Sequence, residues 1–536
     1  MKKSSILLCA CMTSALILLG SCRKNWLDVN YNPRELTDTQ VTPDLVIATV
    51  LEQAAGFKQD FDLMAMWMGY WCPPAFRNGT PITTYNQPAQ MSYPTADIIL
   101  MEQKASSLHE DFYVGVAKTV KSLMWARVVD EVNNAPYTEA YNPDILRPKY
   151  DSGQSIYENV MNELTLASSL IKNADMAKNP KIAASDIMFH GDKQKWQQFI
   201  NTLKLRLLIH QANLPGRESY IKAEMTKIIN QGSGFLPSGT DAAVNPGYSL
   251  VKGVSKYYGL YSNKNRVFGG RADEFGLSLD YAHANVFGMN LLKADDDPRL
   301  AFIYSPIDVP FPAGGAEPFP QPGSAEFRGA QFGLEVNAFS YPFQTRSYIS
   351  AVGGNSNTDV VNDASAGIIK GNNMDGWAIT SIESKFLQAE AIQRGWLPGD
   401  PQQAYIDAVK ESFRWLNVGK SRSLPALSDA IFSTWYNNQV TGANARVSWT
   451  AAPDKYKLLM SQKYTALNGI DPIESWTDYR RNGNFPAIAL SVDPGRVSDR
   501  LPIRFDYGFN EYLTNAANLN AYGSVNVFSS KIWWMP

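Results

Sequence analysis

Residues 186–208 read DIMFHGDKQKWQQFINTLKLRLL and carry the clearest helical pattern of the chain. Asp192 is a preferred residue type for a helix N-cap, because its carboxylate can accept hydrogen bonds from the backbone N–H groups of the first turn. Apolar side chains then follow at intervals of three or four residues, at Trp196, Phe199, Ile200, Leu203, Leu207 and Leu208. This spacing places them on one face and predicts a helix packed against a core.

The same spacing of apolar side chains recurs on both sides of this stretch. It predicts helices at 45–56, 108–132, 156–171, 220–229 and 454–467, and two more after the caps Thr380 or Ser381 and Asp400. Short turns join these helices in pairs, and alanines stand where two helices would approach closely. Such pairs indicate stacking of the tetratricopeptide repeat (TPR) type.

The composition changes between Gly232 and Ala378, where Gly, Pro, Asn and Ser are frequent and no helical stripe persists. Such a stretch predicts short strands and ordered loops. The chain is therefore predicted to be mostly α, with a TPR-like helix-pair scaffold at 41–231 and 379–536 that carries a loop-rich insert at 232–378. We expect residues 41–536 to form a single domain, with binding residues on the insert, because loops on a rigid scaffold commonly carry function.

The chain begins with the features of an export signal. Lys2 and Lys3 form a positive start, and residues 6–19 are mostly apolar. At 1.5 Å per residue, this stretch is too short to span a bilayer of about 30 Å, and no second apolar run follows it. The pattern therefore indicates a signal peptide rather than a membrane span.

The apolar stretch ends in Leu19-Gly20-Ser21-Cys22. This sequence resembles the lipobox of bacterial lipoproteins, in which the cysteine takes a diacylglyceryl group and becomes the new N-terminus. We expect residues 1–21 to be removed, Cys22 to be lipidated, and residues 22–40 to form a tether to the membrane. An ordinary secretion signal with a chance cysteine is the alternative.

Composition limits the partners and the redox chemistry of the folded body. Loss of the two signal lysines leaves 47 of the 49 basic residues against 51 acidic ones, a formal net charge of −4 without a basic block. A nucleic-acid role is therefore not expected. Cys9 and Cys11 leave with the signal and Cys22 takes the lipid, so that Cys72 alone remains and we expect it to be a buried structural thiol.

Two acidic stretches are weak candidates for structural calcium. Asp295-Asp296-Asp297 lacks the alternating ligands and the glycine of an EF-hand loop, which favours a helix-capping turn. A looser set could chelate calcium at Asn355, Asn357, Asp359 and Asp363. The four histidines show no metal-ligand spacing, and we expect neither a metal nor a cofactor.

Several stretches resemble, in chain order, motifs of the SusD/RagB family of outer-membrane nutrient-binding lipoproteins. In the most specific one, F-H-G-D at 189–192, Trp196, Phe199 and N-T-L-K-L-R at 201–206 match the family's Y-x-G-D, W, F and N-S-L-K-L-R. Further matches are N-A-P-Y-T-E-A at 134–140, P-K-Y-D at 148–151, D-P-R-L at 297–300, the helix at 383–395, W-T-D-Y-R-R at 476–481 and L-P-I-R-F at 501–505. The resemblance covers essentially the whole chain after Cys22.

The resemblance implies a single α-rich domain with four TPR-like helix pairs on one side and a loop-rich half on the other. It also implies a partner, a TonB-dependent transporter of the SusC type, over whose barrel such a lipoprotein sits as a lid. The protein would capture a glycan, an oligosaccharide or a peptide and release it into the barrel. That role is binding at the outer membrane, without catalysis, by a protein that faces the cell exterior.

Capture of a soluble nutrient needs flat apolar surfaces and a few polar groups that fix orientation. In the family, aromatic residues of the N-terminal third contribute to the ligand platform, which here points to Trp71, Phe76, Arg77 and Tyr85. A second group lies in the insert, at Tyr257, Tyr258, Tyr261, Arg266 and Arg271, and Trp377 is a third candidate. The alternative for each aromatic residue is packing in the core.

Two other classes of function stay open from the residues alone. The first is a surface-anchored glycoside hydrolase or related enzyme, which would need two carboxyl groups facing each other across a cleft. No motif of a common hydrolase, metalloprotease or nucleotide-binding enzyme stands in a convincing context. The second is a TPR-type scaffold that binds only other proteins.

Overall fold

A computed structural model of the 536-residue chain describes residues 40–56, 61–72, 80–86, 93–245, 283–307, 326–334, 349–350, 352–353, 366–368, 370, 375–421 and 425–536. Most of these residues are helical and the described strands are short, as the sequence predicts. The predicted signal peptide and nearly all of the tether lie outside the described residues. Among the described helices, none is both long enough and apolar enough to cross a membrane.

The N-terminal half of the scaffold consists of helices that pack against their neighbours in sequence. They are α1 (Pro43–Gly56), α2 (Phe61–Trp67), α3 (Pro81–Thr84), α4 (Ala96–Leu108), α5 (Asp111–Val132), α6 (Gly153–Asn173), α7 (Ile182–Ser185), α8 (Lys193–His210) and α9 (Glu218–Gln231). Helix α4 packs on α5, α5 on α6, and α6 on α8. The predicted cap is confirmed, since the Asp192 carboxylate accepts hydrogen bonds from the N–H groups of Gln194 and Lys195.

The remaining helices follow the first strands of the insert. They are α10 (Val286–Ala294), α11 (Leu300–Ile303), α12 (Ser381–Gln393), α13 (Pro401–Trp415), α14 (Ser428–Thr441), α15 (Lys455–Ala466), α16 (Pro472–Arg481), α17 (Phe509–Thr514) and α18 (Ala516–Asn520). The predicted caps at Thr380 and Asp400 are confirmed, and Asp454 caps α15. Helices α4, α10, α14 and α16 and all helices of seven or fewer residues were not predicted. Helix α16 was missed because its sequence is polar although every one of its residues is buried.

Two antiparallel strand pairs join distant parts of the chain. They are formed by β1 (Trp71–Cys72) with β3 (His283–Ala284) and by β2 (Ala242–Val244) with β4 (Gly376–Ile379). In the second pair, Val244 lies opposite Gly376, close to the two predicted ends of the insert. We call this pair the β2–β4 clasp, because it holds the two ends of the insert side by side.

The F-H-G-D motif forms a tight turn around one buried carboxylate. Asp186 accepts hydrogen bonds from the N–H groups of Met188 (2.9 Å), Phe189 (3.1 Å) and Gly191 (2.9 Å) and from the indole of Trp196 (2.8 Å). Gly191 has a φ of +75°, a conformation that favours glycine. The motif therefore fixes the entry of the chain into α8.

Charged residues from four helices meet inside the scaffold. We call them the buried charge network, which consists of Arg206 and His210 of α8, Glu383 and Glu390 of α12, Lys463 of α15, and Glu474, Asp478 and Arg481 of α16. All are buried except Arg206, whose side chain is 11% exposed. Arg206 ends the N-T-L-K-L-R motif, and Asp478 and Arg481 belong to W-T-D-Y-R-R, so that two separate motifs meet here.

One arm of the network is the pair between Arg481 and Glu390. The guanidinium holds both carboxylate oxygens at 2.7 and 2.8 Å, and both side chains are fully buried. Burial alone would raise the pKa of Glu390, but Arg481 and Arg394 outweigh it and lower that pKa to about 2. The glutamate is therefore an anion at every physiological pH, and α12 is tied to α16.

The other arm centres on Glu474, which accepts hydrogen bonds from Lys463 at 3.1 Å and His210 at 3.0 Å. Arg206 lies 3.9 Å from the same carboxylate and holds both oxygens of Glu383 at 2.5 Å. These contacts join α8, α12, α15 and α16. Buried charges are tolerated only when they are paired in this way.

The network extends to the end of the chain through Asp130 of α5. This carboxylate accepts hydrogen bonds from the hydroxyl of Tyr157 and the indole of Trp534, the latter at 2.9 Å. Tyr157 in turn lies 3.0 Å from Nδ1 of His210. The closing Trp534 is fully buried, so that the C-terminus is part of the same core.

Removal of one partner of a buried ion pair should cost far more stability than removal of an exposed one. We expect Glu390→Gln to lower the free energy of unfolding by about 3–5 kcal/mol, since it removes one of the two carboxylates that hold the buried Arg481 guanidinium and leaves only Asp478. The matched control is Asp429→Asn, which breaks the 2.6 Å pair with Arg414 whose side chains are 43% and 57% exposed, and it should cost less than about 1 kcal/mol. Urea unfolding followed by circular dichroism measures both, and equal losses would contradict the structural role of the network.

The network also predicts a pH dependence. Burial would lower the pKa of His210, but Glu474 and Asp130 outweigh it and raise that pKa from 6.5 to about 9. A group whose pKa rises on folding stabilises the fold fully below its unfolded pKa, and this contribution is lost as the pH rises through the folded value. Stability should therefore fall by up to about 3 kcal/mol between pH 6.5 and 9.5. We expect His210→Gln to be less stable at pH 6 and to lose most of this slope; an unchanged slope would contradict the prediction.

Candidate functional site

Short segments of the insert gather around β1 and β3. The backbone N–H of Ala284 donates to Ser350 (2.8 Å), the N–H of Ser350 donates to Arg328 (2.8 Å), and the N–H of Ala330 donates to Ala284 (2.8 Å). We call these segments the loop frame, which consists of residues 71–72, 283–285, 328–330 and 350. The frame is anchored to the helical core because Asn285 donates its N–H to the Tyr70 carbonyl at 3.0 Å.

The ends of several long connections lie close together at the loop frame. Cys72 lies opposite His283, so that the connection after β1 and the connection before β3 attach at the same end of the strand pair. Ile307 donates its N–H to the Glu326 carbonyl at 2.8 Å, which brings together both ends of another connection. Residues that are far apart in sequence therefore leave the scaffold from one small region.

Three of the residues predicted to bind ligand are described, and all three lie in the core. Trp71 is fully buried, Trp377 is 4% exposed and its indole donates to the Ile470 carbonyl at 3.0 Å. Tyr85 is 2% exposed, its hydroxyl accepts from the Ser491 N–H at 2.7 Å, and burial raises its pKa to about 12. In this arrangement their aromatic surface is used in packing, the alternative stated for them above.

The other predicted site residues lie outside the described residues. They are Cys22, Phe76, Arg77, Tyr257, Tyr258, Tyr261, Arg266 and Arg271. For two of these groups, the described residues show where the segment joins the fold. Phe76 and Arg77 follow Cys72, and the second group precedes His283, on the two strands that pair in the loop frame.

Two of the three acidic residues at 295–297 that were considered for calcium form salt bridges. Asp295 binds Arg446 at 2.6 Å, and Asp297 binds the fully buried Arg299 at 2.6 Å. Asp297 also accepts the N–H of Arg299, as in a capping turn. The looser set at 355–363 lies outside the described residues. Within the part of the chain that the structure describes, no group of three or more His, Cys, Asp or Glu is arranged to hold a metal ion.

Cys72 is free and fully buried in β1. Burial raises the pKa of its thiol well above the ordinary value, which keeps it protonated. A protonated, enclosed thiol is a poor nucleophile. Its place opposite His283 indicates a packing role, as predicted.

A cavity of about 40 Å³ lies beside the buried charge network and is lined by Arg206, His210, Asp471 and Glu474 among others. A space of this size accepts water but not a sugar ring. Its charged lining is already engaged in ion pairs. The cavity therefore belongs to the scaffold rather than to a ligand site.

A mostly apolar groove of about 380 Å³ lies between α10 and α15. Phe287, Leu291, Leu458, Tyr464 and Pro486 form much of its wall. It adjoins the loop frame, since the N–H of Phe287 donates to the Asn285 side chain at 2.9 Å. The volume falls within the range of ligand pockets, about 300–1,000 Å³.

A larger cleft of about 740 Å³ lies on the N-terminal part of the scaffold. We call it the α4–α6 cleft. It is lined chiefly by Glu102 of α4, Lys118, Lys121 and Trp125 of α5, Glu163 of α6, and Tyr137, Thr138 and Tyr141 of the turn between α5 and α6. Lys118 binds Glu102 at 2.8 Å and Glu163 at 2.6 Å. Sequence reasoning missed this cleft, because its residues come from three helices and a turn that no single pattern connects.

Comparison with known proteins identifies the family and the fold. The sequence profile of the SusD-like family, described as starch-binding and associating with the outer membrane, matches residues 41–508. No curated protein matches the chain.

Several solved structures share the fold at low sequence identity. An outer membrane protein from Bacteroides vulgatus ATCC 8482, described as involved in nutrient binding, is 19% identical with a TM-score of 0.68. A SusD homologue from Bacteroides fragilis NCTC 9343 is 16% identical with a TM-score of 0.68, and a chitin-binding protein is 17% identical with a TM-score of 0.64. Each alignment covers 92% of this chain and 100% of the other. With a family profile that spans most of its length, the chain belongs to the SusD-like family of nutrient-binding proteins associated with the outer membrane.

Proposed function

We propose that this protein is a non-catalytic surface lipoprotein that captures a glycan, an oligosaccharide or a peptide and passes it to a SusC-like TonB-dependent transporter. The lipid on Cys22 would hold it at the outer membrane, facing the cell exterior. Its scaffold would keep a fixed shape while the loops of the insert contact the nutrient. The family supports the binding role, and the two steps of anchoring and transfer are our inference.

The loop frame is the observation that carries this proposal. The two groups of aromatic and arginine residues favoured for ligand contact, at 76–77 and 257–271, are attached to the paired strands β1 and β3. Loops that leave rigid strands close to one another commonly form a binding site. The apolar groove next to the frame adds surface for the flat face of a sugar or a side chain.

The carboxylate pair of the α4–α6 cleft is unsuited to hydrolysis. Glu102 and Glu163 lie across the α4–α6 cleft as a glycosidase pair would, but both hold the ammonium of Lys118. Burial would raise the pKa of Glu102, yet Lys121 and Lys118 outweigh it and lower that pKa. A general acid must carry a proton at working pH, and this glutamate does not.

Lipidation predicts where the protein is found in cells. We expect the full chain to sediment with the outer membrane, and Cys22→Ser to appear in the soluble fraction because it lacks the acceptor thiol. Cys11→Ser is the matched control, since that residue lies inside the signal, and it should leave membrane association unchanged. Mass spectrometry of the N-terminal peptide identifies the lipid. Equal sedimentation of the Cys22 variant would contradict the anchor.

Binding and turnover can be separated with the purified soluble body. We expect saturable binding to a member of a glycan and peptide panel by calorimetry, without product in the chromatogram after prolonged incubation. Product formation that one Asp or Glu substitution abolishes would contradict the non-catalytic role.

A large β-barrel protein should co-purify with the lipidated form from detergent extracts, and its reproducible absence would count against transfer to a transporter.

A further inference from the structure

The α4–α6 cleft combines an aromatic surface with a pre-ordered set of charges. Its volume of about 740 Å³ lies in the range typical of ligand sites. The cleft lies on helices of the N-terminal scaffold, whereas three of the four segments of the loop frame come from the insert. It is therefore a separate candidate from the site proposed above.

The floor of the cleft is electrically balanced. Lys118 bridges Glu102 and Glu163 at 2.8 and 2.6 Å, and Lys121 also binds Glu102. Two ammonium groups thus face two carboxylates, and the net charge of the floor is zero. A charged ligand would gain little net attraction from such a floor, whereas a neutral ligand with many hydroxyl groups can bond to both its donors and its acceptors.

The same groups keep capacity for further hydrogen bonds. An ammonium group can donate three hydrogen bonds and a carboxylate can accept about four. In the described part of the chain, Lys118 uses two of its donors and Lys121 uses one on these carboxylates. Such charged donors and acceptors, held in place by one another, are suited to sugar hydroxyl groups.

The turn beside the floor presents aromatic rings. Tyr137 packs edge-on against Trp125, with ring centroids 5.1 Å apart. Tyr141 is 42% exposed, and its hydroxyl donates to the Pro94 carbonyl, which fixes the ring. Together they form an apolar edge next to the polar floor.

Tyr141 adopts a backbone conformation that tyrosine rarely takes. Its φ is +63°, in the left-handed region that favours glycine. Such strain persists only where the surrounding structure imposes it, and it is frequent at binding sites. Here the result is a ring held at the mouth of the cleft with its surface in solvent.

We propose that the α4–α6 cleft is a second binding site for a neutral oligosaccharide. Tyr141 would stack on the flat face of a sugar ring, while Lys121, Glu163 and Thr138 would bind its hydroxyl groups. The site rests on the proposed capture of nutrients but not on the loops of the insert. A second site would give a long glycan chain two points of attachment, which strengthens its retention without new contacts at either site.

The test uses maltoheptaose and chitohexaose as neutral probes, with an oligogalacturonate and tetra-alanine for comparison. Hydrogen–deuterium exchange should show that a neutral probe protects residues 137–142, and calorimetry gives the affinity. We expect Tyr141→Ala to weaken binding at the cleft by about three- to tenfold and to remove this protection. Tyr141→Phe keeps the stacking face but loses the hydrogen bond to the Pro94 carbonyl, so that its affinity should lie between those of Tyr141→Ala and the unchanged chain.

Tyr522→Ala is the matched control. Tyr522 is 48% exposed and its hydroxyl donates to the Tyr150 carbonyl at 2.6 Å, but it does not line the cleft. It should leave the protection of 137–142 unchanged. If Tyr141→Ala fails to fold, Lys121→Gln removes an ammonium donor from the floor and should reduce the same protection.

The outcomes separate this inference from the function proposed above. Binding of a neutral probe that protects other segments but not 137–142 would overturn the second site and leave nutrient capture intact. Protection of the cleft by the oligogalacturonate or tetra-alanine alone would overturn its assignment to neutral sugars. Absence of binding by either neutral probe would overturn the second site as well.

Discussion

The buried pair between Arg481 and Glu390 shows the constraint on which the scaffold depends. Both charges have been taken out of water completely, which is tolerated only when each finds its partner in good geometry. The pair can form only if α12 and α16 have their native positions and orientations. Arg206, His210, Lys463 and Glu474 impose the same condition on α8 and α15. Apolar packing alone would allow helices to slide, whereas this network fixes their mutual register.

This constraint explains why charged residues occur at buried positions of the motifs. Arg206 of N-T-L-K-L-R and Asp478 and Arg481 of W-T-D-Y-R-R, two motifs by which the family was recognised, meet in the network. These residues identify the architecture of the scaffold and carry no information about the nutrient. Recognition of the fold and identification of the ligand therefore depend on different parts of the chain.

The sequence allowed most of the helical scaffold to be predicted, since caps such as Asp192 and Asp400 and the three-to-four spacing of apolar residues are local signals. Helix α16 could not be predicted in this way, because its side chains are polar and their partners lie on distant helices. The same limit applies to the site. Trp71, Tyr85 and Trp377 have the composition of a ligand platform, and only the fold reveals that they are buried. Conversely, no sequence pattern indicates that Tyr141 and Lys121 line a cleft, because the cleft forms only when three helices have packed together.

The β2–β4 clasp has a consequence for how such proteins could diversify. Because the two ends of the insert are already held together, a longer or shorter insert changes the closure entropy only slightly, by about 0.6 kcal/mol for each doubling of length. The parts of the insert that pack in the core, such as β3 and the fully buried Arg299, would have to be kept, whereas the loops between them could change in length. A lineage could thus change its diet by replacing these loops, while the core that folds the molecule stays the same.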